Sequence, residues 1–272
     1  SAHIQTTENF EDGKIATHNK YVNYQKRYDD WQSNFEKDGN GQNKYHVDRT
    51  GKQKETLTKD ARRKYDKGRP KGSKEKGTDM DHTISAGEII RDSKAAAHLN
   101  EKEKVTFANS SSNLNEMNSS HNKSKSDLTM QEWLDTPNAN GQKPREIFND
   151  LDDKTIESYY EQDKQARKEW DETRNRGEQN SIQFGKKSRK EEAFRVGKSG
   201  MRAAVMALLS TFIKEVIKKF IKWLRTKEKT LKNLLTNIKE AISNFVSNLG
   251  QNLLNAGQTL ATTILTTIFG PI

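Results

Sequence analysis

The most regular pattern of apolar positions lies toward the C-terminus. Val205, Leu209, Phe212, Ile213, Val216, Ile217, Phe220, Ile221 and Leu224 recur at helical spacing, and Lys214, Lys218, Lys219, Lys222 and Arg225 line the other side. Residues three and four apart share one face of a helix, so the pattern predicts a basic amphipathic helix. A second run, Leu231, Leu234, Leu235, Ile238, Ala241, Ile242, Phe245, Val246 and Leu249, reaches Gly250, and a third, from Leu253 to Phe269, stops at Gly270-Pro271. None is an uninterrupted apolar stretch of about 20 residues, so a simple membrane-spanning helix is not expected. Near the other end, Tyr21, Tyr24, Tyr28, Trp31 and Phe35 follow a 3-4-3-4 spacing. This predicts a helix with one aromatic face that ends at the turn signal Asp38-Gly39-Asn40-Gly41. A second short helix over 54–66 would complete a helical hairpin that packs on something else. Ile84, Ala86, Ile89, Ile90, Val105, Phe107, Leu114 and Met117 supply a small core. Ile156, Tyr159, Tyr160, Ala166 and Trp170 form a thin stripe among mixed charges, the pattern of a solvated connecting helix.

Composition narrows this picture. Of the 272 residues, 31% are apolar and 32% charged. That is too polar for one large compact domain and suggests a small core with extended helices or disordered stretches. The expected class is mainly α with a small α+β core. Its four zones are an N-terminal helical region (1–66), a segment with the small core (67–136), a charged helical connector (137–196) and an amphipathic helical module (197–272). Absence of cysteine excludes disulfides, cysteine-ligated zinc, iron–sulfur clusters and thiol nucleophiles. The first 30 residues are polar throughout, so no secretory signal is expected and the expected location is the cytoplasm. The formal charge of +10 is unevenly placed. Residues 197–272 hold 11 Lys+Arg against 3 Asp+Glu, whereas residues 1–196 hold 37 against 35. Basic charge often marks nucleic-acid binding. Here most of the excess accompanies the most apolar part of the chain.

Candidate chemistry sits in three short pieces: Asp81-His82, Asn113-Leu114 and Asn122-Lys123-Ser124-Lys125. Asp81 offers a hard oxygen ligand for Mg²⁺ or Mn²⁺, and Asn122 a second through its amide oxygen. His82 has the side-chain type suited to a general base near neutral pH. Lys125, three residues after Asn122, would share its side of a helical turn and reach a phosphate. A metal, a base and a cation around one phosphate make a phosphodiester hydrolysis site.

Asp-His, then Asn-Leu, then Asn-x-x-Lys nine residues after the first Asn resembles the HNH nucleases with the ββα-metal fold. The likeness extends to the HNH domains of RNA-guided CRISPR nucleases through His121-Asn122-Lys123-Ser124-Lys125-Ser126-Asp127, over about residues 78–130. The resemblance implies a ββα-metal domain and a metal-dependent endonuclease acting on DNA. It implies Asp81 and Asn122 as ligands of one divalent metal, Mg²⁺ or Mn²⁺, with Zn²⁺ or Ni²⁺ as further options. His82 would deprotonate the attacking water, Asn113 would hold the loop that orients His82, and Lys125 would be the basic residue after the motif. The interval from His82 to Asn113 is 31 residues, longer than in compact members, with an insert at Arg91–Lys104 that suits a helix. His121 beside Asn122 is the alternative second ligand, should the helix be turned by one residue.

Two further features bear on partners. Lys67, Arg69, Lys71 and Lys74 flank Gly68 and Pro70 in a basic segment just before the motif. It is similar to an AT-hook, which lies in the minor groove, while a solvated linker with loose phosphate contacts is the plainer reading. With Lys123, these residues are the candidate nucleic-acid contacts. In the tail, Lys214, Lys218, Lys222, Phe220 and Trp223 are the candidate membrane or partner contacts. Basic amphipathic helices before an uncharged stretch fit an anionic membrane surface, a self-associating bundle or a nucleic-acid surface. The alternative to a nuclease is a non-enzymatic membrane- or partner-binding helical protein that keeps a degenerate HNH scaffold.

Overall fold

The computed structural model describes residues 9–15, 19–70, 76–226, 230–247 and 251. It is mainly helical with two small two-stranded antiparallel sheets. The chain divides into two compact units, Ser1–Phe184 and Gly185–Ile272.

In the first unit the aromatic stripe forms helix α1, Tyr24–Gln32. Asn23 caps it by accepting the backbone N–H of Lys26, so Tyr21 precedes the helix and stacks near Phe184 at 5.5 Å. The helix ends well before Gly39: Phe35 already lies in an extended bridge with Leu57. Tyr24, Trp31 and Phe35 are buried all the same, since a bridge residue can turn its ring onto the same core. The next segment is not the second arm of a helical hairpin. It is a β-hairpin of β1 (Tyr45–Val47) and β2 (Gln53–Glu55), and only Lys59–Asp66 forms the short helix α2. The turn explains the difference. The Asp48 carboxylate accepts the backbone N–H groups of Thr50 (2.8 Å) and Lys52 (3.1 Å), and Gly51 takes a φ of 84° that favours glycine.

Strand β3 (Thr78–His82) is followed by three short helices, α3 (Ala86–Arg91), α4 (Ser93–His98) and α5 (Glu101–Ala108). The single helix expected of the insert is thus a chain of helical turns. Each starts on its own side-chain cap: Ser85, Asp92 and Asn100. Strand β4 (Leu114–Asn118), helix α6 (Ser119–Lys125), α7 (Met130–Asp135) and α8 (Pro144–Ile147) follow. The long helix α9 runs from Asp153 to Leu224.

The connector expectation is overturned. Tyr159, Ala166 and Trp170 on α9 are buried in the first unit, and Trp170 packs on Phe107 with ring centroids 4.6 Å apart. A thin stripe suffices because small residues let the partners come close: at Gly177 an added Cβ would meet Leu99 and the His98 carbonyl. Two apolar clusters result. One gathers Phe10, Trp31, Ile84, Ile89, Ile90, Phe107 and Trp170. The other gathers Met117, Leu128, Met130, Trp133, Leu151 and Tyr159. Of the small core read from the sequence, Ile84, Ile89, Ile90, Phe107, Leu114 and Met117 are buried, and Ala86 and Val105 pack against it half-buried.

In the second unit the end of α9 and a helical stretch at 231–247 form a hairpin. Phe212 and Phe245 meet at 4.6 Å, Lys219 pairs with Glu240 at 2.5 Å, and Ala241 is fully buried. The third apolar run, from Leu253 onward, lies outside the described residues.

Candidate active site

Strands β3 and β4 pair antiparallel, with Asp81 opposite Asn115 and His82 opposite Leu114. Strand β4 passes directly into α6, where the Asn118 side-chain Oδ1 caps the helix by accepting the backbone N–H groups of Ser120 (2.8 Å) and His121 (3.3 Å). Two strands and a helix therefore form one compact piece. Side chains alternate along a strand, so Asp79 and Asp81 share a face. Residues three apart on α6 also share a face, and the two faces meet. Asn122 Nδ2 donates to Asp79 Oδ2 at 3.3 Å, and Lys125 Nζ lies 3.2 Å from Asp81 Oδ2.

Asn113 is fully buried and acts on the chain after His82. Its Oδ1 accepts the Ile84 N–H at 2.8 Å, and its Nδ2 donates to the carbonyls of Ile84 (3.1 Å) and Ala108 (3.0 Å). Its own carbonyl accepts the Thr83 N–H at 2.9 Å. These bonds tie the loop that follows His82 to the end of α5. Asn113 does not itself face the cavity.

His82 is held by a residue that the motif reading missed. Its Nε2 lies 3.1 Å from Asn109 Oδ1. The Asn109 amide nitrogen donates to the carbonyls of Tyr65 and Val105, both at 3.1 Å. With those donors committed, Oδ1 is left as an acceptor, and the network assigns the proton to His82 Nε2. Nδ1 is then the basic nitrogen. Burial holds the imidazole below its usual range, so it is neutral near pH 7. The one sequence signal for Asn109 is its place after the last turn of α5, as the C-cap. Gly68 makes room for it: a Cβ there would lie 2.9 Å from the Asn109 amide nitrogen.

Asp81, His82 and Asn122 line a cavity of about 180 Å³ with Arg62, Arg69 and Asp127. Burial pushes the Asp81 carboxyl up against the pull of Lys125, so the carboxylate gains from any cation placed beside it. Asp79, Asp81 and the Asn122 amide oxygen are hard oxygen donors. That set suits Mg²⁺ or Mn²⁺ better than Zn²⁺, which favours nitrogen and sulfur ligands.

Three expectations change. Lys125 is fully buried between Asp81 and the His82 carbonyl, which it reaches at 3.2 Å. It braces the His82 backbone and the Asp81 carboxylate and is not placed to grip a phosphate from solvent. His121 turns away from the cavity: its Nδ1 lies 3.0 Å from the Tyr159 hydroxyl and its Nε2 3.1 Å from Asp150 Oδ1. It packs with Trp133 and Phe148, away from the cavity that Asn122 lines. Arg69 is no free minor-groove finger. It pairs with Asp66 at 3.6 Å and donates to the Met80 carbonyl, on the cavity wall. Lys67 and Lys123 are exposed, and Lys71 and Lys74 lie outside the described residues.

No family model, curated protein or solved structure matches this chain.

Proposed function

We propose that the first unit is a metal-dependent HNH endonuclease that hydrolyses phosphodiester bonds in DNA. The observation that carries this reading is the convergence of Asp81, His82 and Asn122 on one polar cavity beside an antiparallel strand pair and its following helix. Asp81 and Asn122, with Asp79 close by, would hold one Mg²⁺ or Mn²⁺, which supplies Lewis-acid stabilisation of charge on the leaving oxygen. His82 Nδ1 takes a proton from the attacking water, and Asn109 keeps the opposite nitrogen protonated, so the free lone pair is on Nδ1. Lys125 holds Asp81 and the His82 backbone in place. The test is supercoiled plasmid incubated with the full chain in Mg²⁺ or Mn²⁺. Nicked and linear products with ligatable 5′-phosphate ends are expected, lost on chelation and restored by metal. Intact plasmid across all these metals would sink the reading in favour of a non-enzymatic scaffold.

The second unit is proposed to place or assemble the enzyme, by membrane association or self-association. Its hairpin leaves Leu209, Ile213, Ile217, Phe220, Ile221 and Leu224 each at least two-fifths exposed, with Lys214, Lys218 and Lys222 exposed among them. Trp223 is instead half-buried and donates to the Thr230 carbonyl at 3.0 Å, closing the hairpin turn. Among the described residues no helix is long and apolar enough to cross a membrane, and the exposed apolar and basic positions of the hairpin suit an interfacial mode. Co-sedimentation with anionic vesicles is expected for the full chain and lost in Ile217→Glu/Phe220→Glu. If vesicles capture neither form and sedimentation shows an oligomer that the double variant breaks, the surface serves self-association instead.

A further inference from the structure

The β1–β2 hairpin stands beside the candidate site, and nothing in the proposed chemistry uses it. A second cavity, of about 300 Å³, opens between the hairpin and the end of α6. His46, Arg49 and Lys54 form its hairpin wall. It shares Arg62, Ser126 and Asp127 with the cavity that holds Asp81, His82 and Asn122. The two cavities therefore adjoin across the Arg62–Asp127 pair and lie along one groove of the surface, with Asp81, His82 and Asn122 toward one end and the hairpin toward the other.

Charge along this groove is almost balanced, and the pairing shows where it is not. Asp81 faces Lys125, and Asp66 faces Arg69. Asp127 is engaged by Arg62, whose guanidinium also donates from a second nitrogen at 2.9 Å. Asp48 pairs with Lys54 at 2.6 Å. Each carboxylate of the groove has its cation. One cation is left over: among the described residues Arg49 is exposed and has no ion-pair partner. An uncommitted guanidinium in a polar groove suits a phosphate oxygen, which it can meet with two parallel hydrogen bonds.

The hairpin is also rigid enough to hold that guanidinium in place. Arg91 donates twice to the Glu55 carbonyl, at 3.0 and 2.9 Å, which ties β2 to α3. Lys52 pairs with Glu132 on α7. The Asp48 carboxylate closes the turn that carries Arg49 by accepting from Thr50 and Lys52. Arg49 is thus presented from a braced loop, and less conformational freedom is lost on binding.

We propose that this groove is the track of the substrate strand, and that Arg49 binds a backbone phosphate beyond the one being cut. The proposal rests on the nuclease reading for the identity of the occupant, and names where the strand lies and what grips it. Contacts of this kind position a strand without reading its sequence, so binding through Arg49 is sequence-independent and salt-dependent.

The test separates binding from cleavage. Anisotropy of a fluorescently labelled DNA oligonucleotide, single-stranded and as a duplex, is measured in chelator so that no turnover occurs. Arg49→Ala should weaken binding roughly three- to tenfold at low salt and reduce the slope of log affinity against log salt by about 1. Lys168→Glu, a charge change on α9 away from the groove, should bind as wild type. Unchanged melting of Arg49→Ala shows that the loop change leaves the fold intact. Equal affinity of Arg49→Ala and wild type, or no binding by wild type, overturns the proposal. So does a labelled poly-glutamate that binds through Arg49 while DNA does not, which would make the groove a site for acidic polypeptide. The plasmid assay reads the other claim. Binding through Arg49 without any nicking sinks the nuclease and leaves the groove. Nicking with Arg49→Ala binding as wild type does the reverse.

Discussion

Replacing His82 by alanine is expected to lower plasmid nicking by about 10²–10⁴-fold in either Mg²⁺ or Mn²⁺, the span of a lost general base. The loss should sit in turnover and not in DNA affinity, because His82 is recessed at the end of β3 while the exposed cations lie at the groove wall and rim. The geometry makes the expectation specific. Asn109 accepts from Nε2, and its own nitrogen is spoken for by two carbonyls, so one nitrogen of the ring is available as base and the other is not. The fold should persist, with moderately reduced stability. The substitution removes one side-chain hydrogen bond and leaves the Asn109 oxygen unpaired, a cost of about 1–3 kcal/mol. Single-turnover nicking and a thermal melt of the same preparation check both halves. Retained nicking in His82→Ala would remove His82 from the mechanism.

Asn113→Ala is expected to be the most destabilising single change at the site. Three partners lose their bond at once: the Ile84 N–H, the Ile84 carbonyl and the Ala108 carbonyl. All are internal, because Asn113, Ile84 and Ala108 are each fully buried. An unpaired buried polar group costs about 1–3 kcal/mol. With partial relaxation the total should be about 3–4 kcal/mol, a large share of the stability of an ordinary domain. For a unit of this size that lowers the melting temperature by roughly 6–16 °C. The loop after His82 should loosen with it, so nicking falls even where the protein stays folded. Thermal melting followed by circular dichroism tests the stability claim without reference to catalysis. A shift below about 2 °C would mean that the Ile84 loop is held by something other than Asn113.

Much of the site was legible in the chain because its determinants are local. A three-residue step along a helix puts Asn122 and Lys125 on one side, whereas Asp79 joins Asp81 only through the strand face that the structure shows. Asn113 was named through the family resemblance, and in the structure its side chain makes three bonds to the Ile84 and Ala108 backbone. Asn109 was not legible. Its bonds reach back to Tyr65 and across to His82, separations of 44 and 27 residues that no short pattern encodes. The hairpin was missed for a similar reason. Tyr45, His46 and Val47 are all exposed, so β1 has no buried face to leave an alternating apolar signature.

Sequence alone determined the order and type of the candidate site residues, the helical character of the described part of the C-terminal region and the absence of cysteine side chains. Each is a matter of residue identity or of periodicity within a few turns. Tertiary structure decided the rest. The rotation of α6 against Trp133 and Tyr159 sends His121 into the core and Asn122 to the cavity, since neighbours on a helix point about 100° apart. Packing against β3 seals Lys125 beside Asp81 and turns an expected phosphate contact into an internal brace. The segment that reads as a solvated connector is core, because Tyr159, Ala166 and Trp170 find partners far away in the chain. A pattern of polar and apolar positions shows that a face will be buried, but not against what. That depends on contacts between distant segments, which exist only once the chain has folded.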